Sequence, residues 1–275
     1  MKLLHKYREK KVIIFFNTCH SVSFYERFLQ TWIADRSQIY GKTNIYKLTG
    51  NMKQAKRLTN YTNFNEKPNG IMIATDVIAR GIDFPSVDLI IQVDVPQDPS
   101  FYIHRIGRTA RKGLEGHAVL LLSKNEVDYI DYMDEKKITI TEFDEADVKT
   151  FKHSELNQFN SKARKLMLTD KDYIIKASKA YVSYIRSYTE HKVSSIFKME
   201  DVDYGDIAKS YFLFKVPFVK ELKGENSKIV IATEEELAKL QKLDFTNKNQ
   251  SKMIDEKIEN DKSKSKIFIN LFVKW

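Results

Sequence analysis

The sequence predicts an α/β fold: a doubly wound, mostly parallel sheet with helices on both faces, followed by a helical C-terminal extension. Three observations predict it. Short apolar runs alternate with amphipathic stretches through the first half of the 275 residues. Those runs are continuous rather than alternating, as expected of strands buried on both faces. After about Phe143 strand signals become few, and apolar residues recur at three- and four-residue spacing instead.

The elements follow in order. Val12 to Phe16 is an unbroken apolar run and reads as the first strand. Ser21 to Trp32 places Val22, Phe24, Tyr25, Phe28, Leu29 and Trp32 near helical spacing. Ile45 to Leu48 reads as a strand and Lys53 to Phe64 as a helix, followed by a strand from Gly70 to Thr75 that ends in small residues. Leu89 to Val93 is the next strand, then a turn at Pro96 and Pro99, then a helix over Ser100 to Arg108, and His117 to Leu122 closes the series. In the second half, Tyr173 to Tyr188 carries Tyr173, Ile174, Ala177, Tyr181, Tyr184, Ile185 and Tyr188 on one helical face. Asp203 to Phe214 and Glu234 to Leu243 read as further helices. Asn247 to Lys266 has a composition too polar to fold, and Phe268 to Trp275 is an apolar, aromatic ending that no motif explains. The domain organisation expected is 1–145 for the sheet, 146–225 for the helical extension and 226–275 for a charged, partly disordered tail.

Composition narrows the function. Forty-six Lys and Arg against 37 Asp and Glu give a net charge of +9, which favours a polyanionic partner. One cysteine, Cys19, excludes a disulfide within the chain and fits a reducing compartment. No apolar run approaches the roughly 20 residues of a membrane span, and the opening MKLLHKYREKK is too polar for a secretory signal. A soluble, intracellular protein with no membrane role is expected.

Three motifs carry chemistry. His104-Arg105-Ile106-Gly107-Arg108-Thr109-Ala110-Arg111 concentrates guanidinium groups, whose planar donor forks match phosphate oxygens. Residues three apart on a helix lie on one face, so Arg105, Arg108 and Arg111 are expected to project together into one cleft. The octapeptide alone fits either a basic helix for nucleic acid or arginine fingers for phosphoryl transfer. Ala74 to Asp83, leaving a strand, offers the Thr75 hydroxyl, Gly81 for close backbone approach and Asp83 as an acceptor for ribose hydroxyls. Gly50-Asn51-Met52-Lys53-Gln54-Ala55-Lys56-Arg57 opens a helix with basic and amide side chains, where unpaired amides suit phosphate.

All three in this order, within about sixty residues, resemble the second RecA-like lobe of the DEAD-box RNA helicases, from about Lys11 to Leu122. Phe15 to Cys19 resembles motif IV, Gly50 to Arg57 motif IVa, Ala74 to Asp83 motif V and His104 to Arg111 motif VI; Asp94-Val95-Pro96 matches the segment after motif V. The usual family form has glycine where this chain has Ala110. The resemblance implies that Arg108 and Arg111 reach the ATP phosphates as the catalytic fingers, that Asp83 and Gly81 bind the nucleotide, and that His104 couples the ATP site to the other lobe. It also implies that Gly50, Gln54, Arg57, Thr75 and Arg80, with Asn17 as a further member, bind the RNA backbone. Contacts to phosphate and sugar make binding largely sequence-independent and salt-sensitive.

The sequence contains no G-x-x-x-x-G-K-[ST] run and no Asp-Glu-Ala-Asp. The groups that hold the β/γ-phosphates and Mg²⁺ are therefore expected on an N-terminal lobe outside this chain, which is read as a fragment or truncated gene product unable to hydrolyse ATP alone. Ala180 to His191, Ser195-Ile196-Phe197, Ala208 to Tyr211, Val216-Pro217 and Glu221-Leu222 are similar to the extension of DEAD-box proteins of large-ribosomal-subunit assembly, nearest the Spb-four/DDX-fifty-five branch. That implies a nucleolar setting, pre-rRNA and pre-ribosomal proteins as partners, and a monomer. Tyr181, Tyr184 and Tyr188 either pack the extension or stack RNA bases. The alternatives to a helicase lobe are a non-enzymatic RNA or pre-ribosome binding module and a DNA helicase of the wider superfamily. The DEAD-type motif V and the extension argue against the last.

Overall fold

Five strands, β1 (Lys11–Phe15), β2 (Ile45–Leu48), β3 (Gly70–Ala74), β4 (Leu89–Gln92) and β5 (His117–Leu120), form one all-parallel sheet in the order β2-β3-β1-β4-β5. They are seen in a computed structural model that describes residues 1–78, 87–111, 113–142, 153–220 and 229–244. Every residue of β3 and β4 is buried, whereas the edge strands β2 and β5 are partly open. Continuous apolar runs thus mark the interior strands, because helices cover both sheet faces. Each of the five predicted strands is present, β2 with both ends as expected and no end of the others moved by more than two residues.

The helices of this half are α1 (Lys2–Lys6), α2 (Cys19–Ala34), α3 (Ser37–Tyr40), α4 (Gln54–Glu66), α5 (Ser100–Ile106) and α6 (Tyr129–Glu135). Successive strand residues face opposite ways. Ile13, Phe15, Met72, Ala74 and Ile90 accordingly pack with Phe64 of α4 on one face. On the other, Phe16 stacks on Tyr25 of α2 with ring centroids 4.7 Å apart. Thr18 caps α2 by accepting from Ser21 N at 3.1 Å.

Among the described residues four further helices follow: α7 (His153–Met167), α8 (Lys171–Thr189), α9 (Tyr204–Ser210) and α10 (Glu234–Gln241). The chain divides into two compact units, one of residues 1–151 with 183–202, the other of 152–182 with 203–275. The C-terminal part of α8 therefore belongs to the first unit. There Tyr188, Val193 and Phe197 share a core with Val95, Tyr102, Tyr129 and Met133. In the second unit Arg164 grips Glu236 with two bonds of 2.8 and 2.7 Å, donates to Leu213 O, and lies over the Phe214 ring. Thr233 and Glu236 form a capping box at the start of α10.

Four helices lie outside the sequence expectation: α1, α3, α6 and α7. The helix expected to reach Phe214 stops at Ser210, and Phe212 has φ 55°. Tyr181 is fully buried and Tyr188 nearly so, and both pack; Tyr184 is half-buried against the same cluster as Tyr188. The stretches Asn247 to Lys266 and Phe268 to Trp275 lie outside the described residues.

Candidate functional site

In a parallel sheet all carboxyl ends share one edge, and ligand-binding loops leave there. Three backbone bonds carry the strand pairing one residue into those loops: Phe16 N to Ala74 O (2.9 Å), Thr75 N to Leu48 O (3.2 Å) and Val93 N to Phe15 O (3.0 Å). The segments after β1, β3 and β4 are thereby held in register. Gly50, just after β2, sits so close to the turn after β3 that a Cβ there would lie 3.1 Å from the Val77 side chain.

The centre of this edge is Arg105. It is fully buried, and its five N–H groups are all engaged. Nε and Nη2 grip the Asp76 carboxylate at 2.6 and 2.9 Å, and Nη2 also donates to Asn17 Oδ1 at 2.8 Å. Nη1 donates to Asp94 O at 2.7 Å and to Gln92 Oε1 at 3.5 Å. The guanidinium lies over the Phe15 ring, 5.2 Å from its centroid. One side chain thus ties together the ends of β1, β3 and β4. Burial pushes the Asp94 carboxyl up to about 6, against the lowering effects of the Asn17 N–H and of Arg105.

This corrects the expectation that Arg105, Arg108 and Arg111 project together. The helix ends at Ile106, two residues short of Arg108, and Gly107 follows as its C-cap. Beyond it, Thr109 is drawn into the sheet end: Val87 N donates to Arg108 O at 3.2 Å, and the Thr109 hydroxyl donates to Val87 O. Arg105 therefore faces inward while Arg108 and Arg111 lie on the turn that follows. Arg108 Nε donates to His104 O at 3.2 Å and Arg111 Nε to Gly107 O at 2.6 Å, so both side chains fold back along the chain. Between them Ala110 adopts φ 53°, the left-handed region that glycine occupies without strain.

The other expected residues are distributed as follows. His104 is exposed and edge-on to Phe101 at 6.0 Å. Gln54 is the exposed first residue of α4, and Arg57 lies one turn on, its Nε buried with no hydrogen-bond partner among the described residues. Thr75 is buried, and its hydroxyl likewise has no partner among the described residues. Asn17 does not present a free amide: Nδ2 donates to Val95 O at 2.7 Å while Oδ1 serves Arg105. Arg80, Gly81 and Asp83 lie outside the described residues. Among the described residues no group of three or more His, Cys, Asp or Glu is placed to hold a metal ion. No helix among them is long and apolar enough to cross a membrane.

Sequence reasoning missed Asp76, Asp94 and Gly116 as site components. The first two were legible in principle, since a buried arginine demands carboxylate and carbonyl partners, and Asp76 adjoins Thr75. Gly116 was not. A Cβ there would lie 2.0 Å from Thr109 Oγ1 and 2.6 Å from Ala110 N, a closeness only the fold reveals.

Comparison with known proteins matches this geometry. Residues 1–113 match the helicase conserved C-terminal domain, and residues 170–219 match the C-terminal extension of the ATP-dependent rRNA helicase SPB4-like family. The chain belongs to the DEAD-box RNA helicases. It is 38% identical over 229 residues to the ATP-dependent rRNA helicase SPB4 of Scheffersomyces stipitis, covering 81% of this chain and 36% of that protein. Human ATP-dependent RNA helicase DDX18 is 38% identical over 218 residues, covering 78% and 30% respectively. Among solved structures, Mss116p DEAD-box helicase domain 2 bound to an RNA duplex superposes with a TM-score of 0.62 at 27% identity, over 79% of this chain and 81% of that one. Mss116 bound to ssRNA and UDP-BeF gives 0.63 at 28%, over 80% and 42%. The chain spans 36–43% of the length of the SPB4 proteins it matches. These likenesses agree with the RecA-like lobe and helical extension inferred from the sequence.

Proposed function

We propose that this chain serves as the second lobe of an ATP-dependent RNA helicase acting on pre-rRNA during large-subunit assembly in the nucleolus. The observation that carries the reading is the buried Arg105, which joins the loops after β1, β3 and β4 to α5, the helix directly before the turn that bears Arg108 and Arg111. In this reading Arg108 and Arg111 swing out from His104 O and Gly107 O to the γ-phosphate of ATP. Asp83 and Gly81 hold the nucleotide, and His104 faces the other lobe. Gly50, Gln54, Arg57, Thr75 and Arg80 track the RNA backbone. Asn17 supports that strip through Arg105 rather than by touching RNA.

A first lobe, carrying the P-loop and the Mg²⁺ ligands that this sequence does not contain, completes the ATP site. Each lobe then holds part of one substrate pair, so ATP and RNA favour closure, and phosphate release ends it. Pre-ribosomal proteins are the natural partners of the extension, and the lobe functions as a monomer.

The test compares RNA-stimulated ATP turnover of the 275-residue chain with that of a longer natural protein that contains it and a P-loop lobe. The chain alone is expected to be inactive and the longer protein active. Arg108→Ala or Arg111→Ala in the longer protein should lower turnover by about 10³-fold, as for an arginine finger. Unchanged turnover in both variants would overturn the reading.

A further inference from the structure

Residues 183–202 of the extension meet the rest of the first unit at the root of α5, the helix that precedes the turn bearing Arg108 and Arg111. Gln97, at the turn before α5, donates from Nε2 to Ser187 O at 2.7 Å and to Glu190 Oε2 at 3.2 Å. Its own carbonyl accepts from Lys192 N at 2.9 Å. Asp98 is shared. One carboxylate oxygen accepts from Ser100 N at 2.9 Å at the start of α5, and the other takes Lys192 Nζ at 2.6 Å. These two partners hold its carboxyl down at about 2, the Lys192 bond first and the Ser100 amide second. Within α5 itself, Tyr102 is buried against the cluster that includes Tyr188, Val193 and Phe197. A second line of contact runs to the loop after β1. Ser183 Oγ and Thr18 Oγ1 are 2.9 Å apart, and the neighbouring Asn17 is a partner of Arg105.

Every one of these contacts lies within the first unit. Their common effect is on orientation. α5 is only seven residues long, and the turn bearing Arg108 and Arg111 follows directly from it. A helix this short has little rigidity of its own beyond what its ends and buried face supply. At its C-terminal end it is fixed by Arg105 and Thr109; at its N-terminal end it is fixed by the extension.

We propose that Gln97 and Lys192 are positioning residues for ATP hydrolysis, through which the extension sets the orientation of the helix that delivers Arg108 and Arg111. The kinetic part rests on the helicase reading above; the structural part does not. Lys192 is 65% exposed on its side chain, so reversing its charge leaves the core intact. A misplacement of catalytic groups by about 1 Å can cost up to about a hundredfold in rate, which makes turnover a sensitive reporter.

The test uses Gln97→Ala/Lys192→Glu, with Lys192→Arg as the conservative control. In the 275-residue chain, hydrogen exchange across residues 100–111 is expected to quicken about tenfold in the double variant, while the amides of β1 and β3 keep their protection. Unchanged protection over 100–111, or equal loss across β1 and β3, would overturn the proposal. In the longer protein carrying a P-loop lobe, kcat should fall about tenfold with KM for ATP within about twofold, and Lys192→Arg should retain wild-type kcat. A kcat unchanged beside a lowered melting temperature would also overturn it. If the unmutated longer protein shows no turnover, the helicase reading fails by itself, and the exchange measurement still decides the structural part.

Discussion

Removing a guanidinium from water costs several kcal/mol unless its charge is paired and its donors are met, and Arg105 meets all five of them. Its carboxylate partner is Asp76, while Asp94 gives only its backbone carbonyl. The Asp94 side chain is left in a buried site with Asn17 N as its hydrogen bond at 2.8 Å. Because its folded-state pKa, about 6, lies above the ordinary 3.8, the folded protein holds this proton more tightly than the unfolded chain does. The resulting stabilisation is full below pH 4 and is lost as pH rises through 6, an effect on the order of 3 kcal/mol. Asp94→Asn keeps an oxygen for Asn17 N and cannot ionise. Urea unfolding at pH 4 and pH 7 should show the variant gaining on the wild type as pH rises, and matching or exceeding it at pH 7. An equal difference at both pH values would mean that Asp94 does not titrate in this window.

Elements place the arginines as much as residues do. α5 is followed by Gly107, the chain dips to pair Thr109 with Val87, and Ala110 turns it through a positive φ. Gly116, entering β5, closes over that turn with no room for a side chain. Gly116→Ala should therefore push Thr109 off Val87 and cost about 2–3 kcal/mol, read as a drop in melting temperature together with faster exchange at Val87 N. A variant as stable as the wild type would mean the turn can move aside freely. The same turn explains which parts of the site were legible. Strands β1 to β5 were readable because burial on both faces leaves unbroken apolar runs. The end of α5 was not, because Ile106 to Arg111 carries no proline and only one glycine, and the stop comes from a tertiary pairing with Val87. α7 escaped notice for a related reason: its inward residues, among them Phe159, Ala163 and Met167, are too sparse to announce a face.

At the scale of the whole molecule, motif order revealed the family, and the sheet order shows how the segments after β1, β2 and β3, distant in sequence, share one edge. What the order of motifs could not reveal was the difference inside the octapeptide, where one arginine is fully buried and two fold back, half-buried, on the turn that follows. Nor could it show that residues 183–202 fold with the first unit rather than with the rest of the extension. Both depend on three-dimensional partners, Asp76 in the first case and Gln97 in the second, that no local spacing encodes.

Arg105 also bears on how the lobe opens and closes as a folded object. Any partial opening that frees the turn after β3 strands a buried cation, and any opening that withdraws α5 strands Asp76, so neither is a cheap fluctuation by itself. The amides of Asp76 to Ile78 and of α5 should therefore share a single opening free energy in native-state exchange. Arg105→Lys, with three donors in place of five, should split that value in two and lower global stability by about 3 kcal/mol. Two distinct values in the unmutated chain would show that the segments move independently. A lobe built this way has no half-assembled form in which the loops after β1 and β3 are ordered and the turn after α5 is not: it matures, and melts, as one cooperative unit.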